Sequence, residues 1–127
     1  MSEKILIVED DEKNRLMLRD ILRFYKYEVI EAENGEQGIK MAEEQSPDLI
    51  LMDMQMPLMD GFTATKLIKN NPSTKSIKII AVTSFAMIGD KKKILEAGAD
   101  EYISKPIDTR ELPKLVARML AGKGETV

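Results

Sequence analysis

Residues 48–61 read DLILMDMQMPLMDG. The run Leu49-Ile50-Leu51-Met52 has no polar member and ends on a carboxylate, Asp53. Unbroken apolar runs of this length, without alternation, are typical of strands covered on both faces. An unpaired charge at the edge of a core is costly, so Asp53 needs partners from elsewhere in the chain.

Two other runs share the pattern, ILIV at residues 5–8 and IIAV at 79–82. Two more mixed stretches, 27–32 and 101–104, read as edge strands. Between these lie helical patterns. Residues 13–26 carry apolar side chains at Met17, Leu18, Ile21, Leu22 and Phe24, at roughly helical spacing. Residues 36–45 follow the Asn34-Gly35 turn and stop at Ser46-Pro47; residues 61–71 stop at Asn71-Pro72. A helix over 89–97 has Gly98 in place to end it. The last helix is expected over 108–121, with Leu112, Leu115, Val116, Met119 and Leu120 on one face. Strand and helix alternate five times, which predicts an α/β domain with a parallel sheet and helices on both faces. The order 2-1-3-4-5 fits best. The domain is expected over residues 3–121. The tail, 122–127, is expected to be too short for an output domain.

The 127 residues suffice for one domain with a substantial core. Absence of cysteine rules out disulfides and thiol chemistry, and absence of histidine removes the commonest general base and the usual zinc sites. A net charge of -3 gives no electrostatic footprint for nucleic acid. No apolar run approaches the roughly 18 residues of a membrane span. The start, MSEKILIVED, lacks the apolar core of a signal peptide, so the cytoplasm is the expected location.

In open parallel sheets, sites form beyond the carboxyl ends of strands, where strand order reverses. The first strand runs into Glu9-Asp10-Asp11, the third ends in Asp53, the fourth in Thr83-Ser84, and the fifth runs into Lys105-Pro106. Carboxylates, a hydroxyl and an ammonium therefore converge. Three carboxylates about 4 Å apart would repel by roughly 4 kcal/mol per pair at an effective dielectric near 20, as an upper bound. Such a cluster asks for cations. Lys105 supplies one, and a hard divalent ion such as Mg²⁺, which takes one or two carboxylates plus waters and phosphate oxygen, is the natural second.

The set Glu9-Asp10, Asp53, Thr83 and Lys105-Pro106 resembles the receiver domain of two-component response regulators, a flavodoxin-like fold. MDMQMPLMDG around Asp53, GAD at 98–100 and the aromatic Tyr102 support the likeness. SFAMIGD at 84–90 and AGADEYISKPI resemble single-domain receivers of the DivK type. The resemblance implies that Asp53 accepts a phosphoryl group from a phosphohistidine on a histidine kinase or phosphotransfer protein. It implies that Asp10, Glu9, Asp53 and the Gln55 carbonyl hold Mg²⁺, with Mn²⁺ as a substitute. Lys105 would offset phosphoryl charge, and Thr83 would hydrogen-bond a phosphoryl oxygen. The Lys105-Pro106 bond is expected to be cis, an isomer essentially confined to bonds before proline, aiming Lys105 inward. Tyr102 would turn inward as Thr83 moves, changing the face of the fourth helix, fifth strand and fifth helix; a plain structural aromatic is the other reading. The downstream protein target is not named by the sequence, and neither nucleic acid nor membrane is expected as a partner.

Weak self-dephosphorylation is also implied, with Gln55 and Phe85 lining the approach of water; the bulk of Phe85 predicts slow hydrolysis. A role as a phosphorelay intermediate is the alternative within this class. A haloacid dehalogenase-like phosphatase is disfavoured because position 55 is glutamine where that family has a second aspartate. A flavin carrier is disfavoured because Glu9-Asp10-Asp11-Glu12 would repel the flavin phosphate. Asp11 is expected to cap a helix, Asp60-Gly61 to start one, and Lys91-Lys92-Lys93 to form a solvated face, with a partner-docking surface as the alternative. Met17, Leu18 and Leu22 are divided between core packing and a docking face.

Overall fold

The three apolar runs become the middle of one parallel sheet. In the computed structural model, which describes residues 2–84 and 88–123, β1 (Lys4–Val8), β3 (Leu49–Asp53) and β4 (Lys78–Thr83) are flanked by β2 (Glu28–Ala32) and β5 (Glu101–Ser104). The order is β2-β1-β3-β4-β5, as expected, with the mixed strands at the edges. Val8 pairs with Met52, Asp53 with Val82, and Thr83 with Ser104. This register brings the carboxyl ends of the central strands to one level.

Successive strand residues point to opposite faces, which divides the core in two. Leu6, Val8, Ile50, Met52, Ile79 and Ala81 pack with residues of α2 (Gly35–Gln45), α3 (Gly61–Lys69) and α4 (Ile88–Glu96). Ile5, Ile7, Leu49, Leu51, Ile80 and Val82 pack with α1 (Glu12–Phe24) and α5 (Glu111–Lys123). Leu18 and Leu22 are fully buried on the second side, so they belong to the core and not to a docking face. Burial of each is worth roughly 1.5–3 kcal/mol. Met17 is only partly buried.

Short polar caps start helices close behind the strands. Asp11 accepts from the Lys13 N–H, Asn34 from that of Gln37 and Asp60 from that of Thr63, each satisfying a donor the helix itself cannot. Gly98 ends α4 with φ at 109°, its N–H donating to the Leu95 carbonyl and that of Ala99 to Ile94. This left-handed turn is the conformation for which glycine is suited.

Several boundaries differ from expectation. α1 stops at Phe24 because Lys26 turns left-handed, with φ at 71°, and sends the chain into β2. α3 stops at Lys69, with Asn70 as its cap. α5 begins at Glu111, not 108: Asp108 caps the chain, its carboxylate accepting from the N–H groups of Arg110 and Glu111 and its carbonyl from that of Leu112, but Pro113 has no N–H to continue the ladder to residue 109. α5 then runs to Lys123, past the expected domain limit at 121. Pro113 lies in its first turn, where no intrahelical donor is required.

Candidate functional site

Glu9, just past the end of β1, and Asp53, the last residue of β3, are each about 2% exposed. Carboxylate oxygens of Glu9, Asp10 and Asp53 lie within 4.8 Å of one another, with Asp10 on the exposed side. The sequence places these acids at strand ends; the register of β1 with β3 brings them together. Lys105 reaches in from the end of β5, its N–H donating to the Thr83 carbonyl at 2.8 Å. Its Nζ stands 3.4 Å from Glu9 Oε1 and 3.3 Å from Asp53 Oδ2. The Lys105-Pro106 bond is cis.

Each buried acid has one oxygen fixed by main chain. Glu9 Oε2 accepts from the Asp11 N–H, and Asp53 Oδ1 from the Gln55 N–H, both at 3.1 Å. The other oxygens, Glu9 Oε1 and Asp53 Oδ2, are buried beside Lys105 and have no hydrogen bond among the described residues. Burial, with the Asp53 carboxylate alongside, pushes the Glu9 carboxyl up to about 7. Burial works against the Lys105 charge, but Asp53 and Glu9 outweigh it and hold the ammonium above its ordinary value. Two buried carboxylate oxygens lacking hydrogen bonds, with an exposed third acid beside them, fit a hard cation that takes oxygen ligands.

Thr83 is buried at the end of β4. Its Oγ1 accepts from Gln55 Nε2 at 3.0 Å, and Gln55 Oε1 accepts from the Ser84 N–H at 3.0 Å. The expected role of Gln55 was confined to its carbonyl and to the water approach, so this side-chain bridge was missed. Phe85 lies outside the described residues. Tyr102 packs partly buried against the core, with Lys91 Nζ 5.1 Å from its ring centre. It lines a groove of about 620 Å³ with Lys91, Glu101, Glu111, Lys114 and Arg118. A second groove, about 430 Å³, opens beside Lys105 between Asn14, Met17, Ser84, Pro106 and Ile107.

Arg15 was also missed. It is buried on α1, and its Nη1 donates to the Glu9 carbonyl at 3.0 Å while Nε donates to Glu31 Oε1 at 3.1 Å. At the other side of Asp53, Gly61 opens α3 so close to β3 that a Cβ there would overlap the Asp53 carbonyl oxygen and stand 2.7 Å from Met54 Cα.

Residues 5–117 match the family model of the response regulator receiver domain. The polar-differentiation response regulator DivK of Brucella anthropi is 44% identical over 84% of this chain and 87% of its own length. A CheY-like response regulator receiver domain protein from Methanospirillum hungatei superimposes with a TM-score of 0.90 at 31% identity, covering 97% of each chain. The receiver domain of a sensor histidine kinase from Pseudomonas aeruginosa, described with a magnesium ion coordinated in its active site cleft, gives 0.88 at 35% identity, covering 95% of this chain and 99% of that one. No helix among the described residues is long and apolar enough to cross a membrane.

Proposed function

This chain belongs to the response regulator receiver family, and we propose that it works by reversible phosphorylation of Asp53, with the phosphoryl group drawn from a phosphohistidine on a histidine kinase or phosphotransfer protein. The observation that carries the proposal is the position of Lys105 Nζ, 3.3 Å from a buried Asp53 oxygen that has no hydrogen bond among the described residues. Oδ1 is occupied by the Gln55 N–H. Oδ2 is therefore the nucleophile. Its lone pair forms the new O–P bond as the N–P bond of the donor breaks, and the released imidazole takes up a proton to become neutral.

Phosphoryl transfer depends on position and charge compensation more than on covalent help from the protein. Glu9, Asp10, Asp53 and the Gln55 carbonyl would hold Mg²⁺ or Mn²⁺. The bound ion would neutralise charge on the phosphoryl oxygens. Lys105 contributes a fixed positive charge beside Asp53 Oδ2 and pairs with the acylphosphate once Asp53 carries it. The Thr83 hydroxyl donates to a phosphoryl oxygen, and Tyr102 follows inward, remodelling the surface of α4, β5 and α5. Phosphorylation then biases an existing equilibrium by contacting the two states unequally. Binding of a downstream protein to that surface is the output. Spontaneous loss of the phosphate by attack of water is slow, and the chain is a signalling protein whose chemistry serves its own modification.

A test is transfer of labelled phosphate from a phosphorylated histidine-containing domain. Transfer that requires Mg²⁺ and vanishes in Asp53→Asn supports the proposal. Transfer undiminished in that variant refutes it.

A further inference from the structure

Gln55 touches both ends of the site at once. Its main-chain N–H holds Asp53 Oδ1, while its carboxamide bridges Thr83 Oγ1 and the Ser84 N–H. The orientation of the carboxamide is settled by chemistry, because the Ser84 amide can only donate and so must face Oε1. Nε2 therefore faces Thr83, and the Thr83 hydroxyl is the acceptor in that bond. Any swing of Thr83 toward a phosphoryl group on Asp53 pulls Oγ1 away from Nε2. We propose that the Gln55 side chain is a latch: a two-point clasp that holds Thr83 and Ser84 in the resting arrangement and must open before Thr83 can engage the phosphoryl group. The proposal rests on the receiver reading above.

Gln55 is thus a positioning residue that opposes switching. A clasp of two neutral hydrogen bonds biases the resting state by about tenfold, allowing for the water that replaces it. Removing it makes the site more receptive to a phosphoryl group, since part of the binding energy is no longer used to open the clasp. A merely structural Gln55 predicts the opposite sign, because a disordered loop binds less well.

Gln55→Met keeps the side-chain length and removes both polar atoms; Gln55→Leu serves as a second variant. In metal-free protein, exchange of the Ser84 amide hydrogen, read by NMR, is expected to accelerate about tenfold. In Mg²⁺, affinity for beryllofluoride, a phosphoryl mimic, is expected to rise roughly three- to tenfold. The gain is expected to disappear when Gln55→Met is placed in a Thr83→Val background. Unchanged Ser84 exchange, unchanged or weaker beryllofluoride binding, or a gain that persists without the Thr83 hydroxyl overturns the latch. Wild-type protein that fails to bind beryllofluoride overturns the receiver chemistry itself, an outcome distinct from wild-type binding with no gain in the variant.

Discussion

Arg15 Nη1 donates to the main-chain carbonyl of Glu9 at 3.0 Å, tying the acidic loop to the helix that follows it. The same guanidinium bonds Glu31 Oε1 at 3.1 Å and lies 3.6 Å from Glu33. It therefore braces the β1–α1 loop against the end of β2. Arg15→Met removes the brace and leaves the Glu9 carbonyl without that donor. Charge-assisted bonds of this kind contribute roughly 1.5–3 kcal/mol, so urea unfolding is expected to show a loss of about 2 kcal/mol. Mg²⁺ binding, followed by calorimetry, is expected to weaken in step, because Glu9 is no longer fixed.

Glu9 gives the metal-free protein an unusual dependence on pH. Its carboxyl titrates near 7 when folded, against 4.5 in the unfolded chain. Between those values the folded state holds a proton that the unfolded state has released, so the Glu9 contribution to stability is fully present below about 4.5 and is lost as pH rises through 7. The loss is on the order of 3 kcal/mol. Denaturant midpoints measured from pH 5 to 8 without metal are expected to decline. The Glu9 component of that decline disappears in Glu9→Gln. Lys105→Met moves it to higher pH, because the ammonium favours the ionised carboxyl.

Metal binding has the complementary dependence. A proton on Glu9 competes with a cation for the same oxygens. Apparent Mg²⁺ affinity is expected to rise with pH up to about 7 and to level off above it. Titration at fixed ionic strength checks this. An affinity that is flat from pH 5.5 to 8 contradicts it.

Gly61 is predicted to tolerate no side chain. A Cβ there would overlap the Asp53 carbonyl oxygen and crowd Met54, atoms of main chain that cannot rotate away. Overpacking of this kind costs about 1–3 kcal/mol. Gly61→Ala is expected to lower the unfolding free energy, read from urea denaturation, by that amount and to slow phosphate uptake by shifting Asp53. Normal stability in that variant would show that the β3–α3 loop yields easily.

The fold was legible because three strands, 5–8, 49–52 and 79–82, carry apolar runs with no alternation, while the edge strands do not. The acids and Lys105 were legible because each follows directly on a strand, so the topology alone carries them to one edge. Arg15 was not. In sequence it is one cation on an amphipathic helix, and nothing local says that its head reaches a carbonyl in the preceding loop and a carboxylate 16 residues away. The Gln55 bridge was hidden for a similar reason, since its partners lie 28 and 29 residues on and meet it only through the pairing of β3 with β4. The start of α5 shifts because Asp108 does cap the chain, through its carboxylate and carbonyl, but Pro113 has no N–H for the next helical bond, so the regular helix opens only at Glu111.

The central claim is that one buried oxygen, Asp53 Oδ2, receives phosphate beside Lys105. The most direct measurement is peptide mass spectrometry after incubation of the full chain with Mg²⁺ and a small acyl phosphate. The account predicts added phosphate on Asp53, removed by hydroxylamine and absent from Asp53→Asn. Phosphate on a different residue, or uptake unaffected by that substitution, would contradict it.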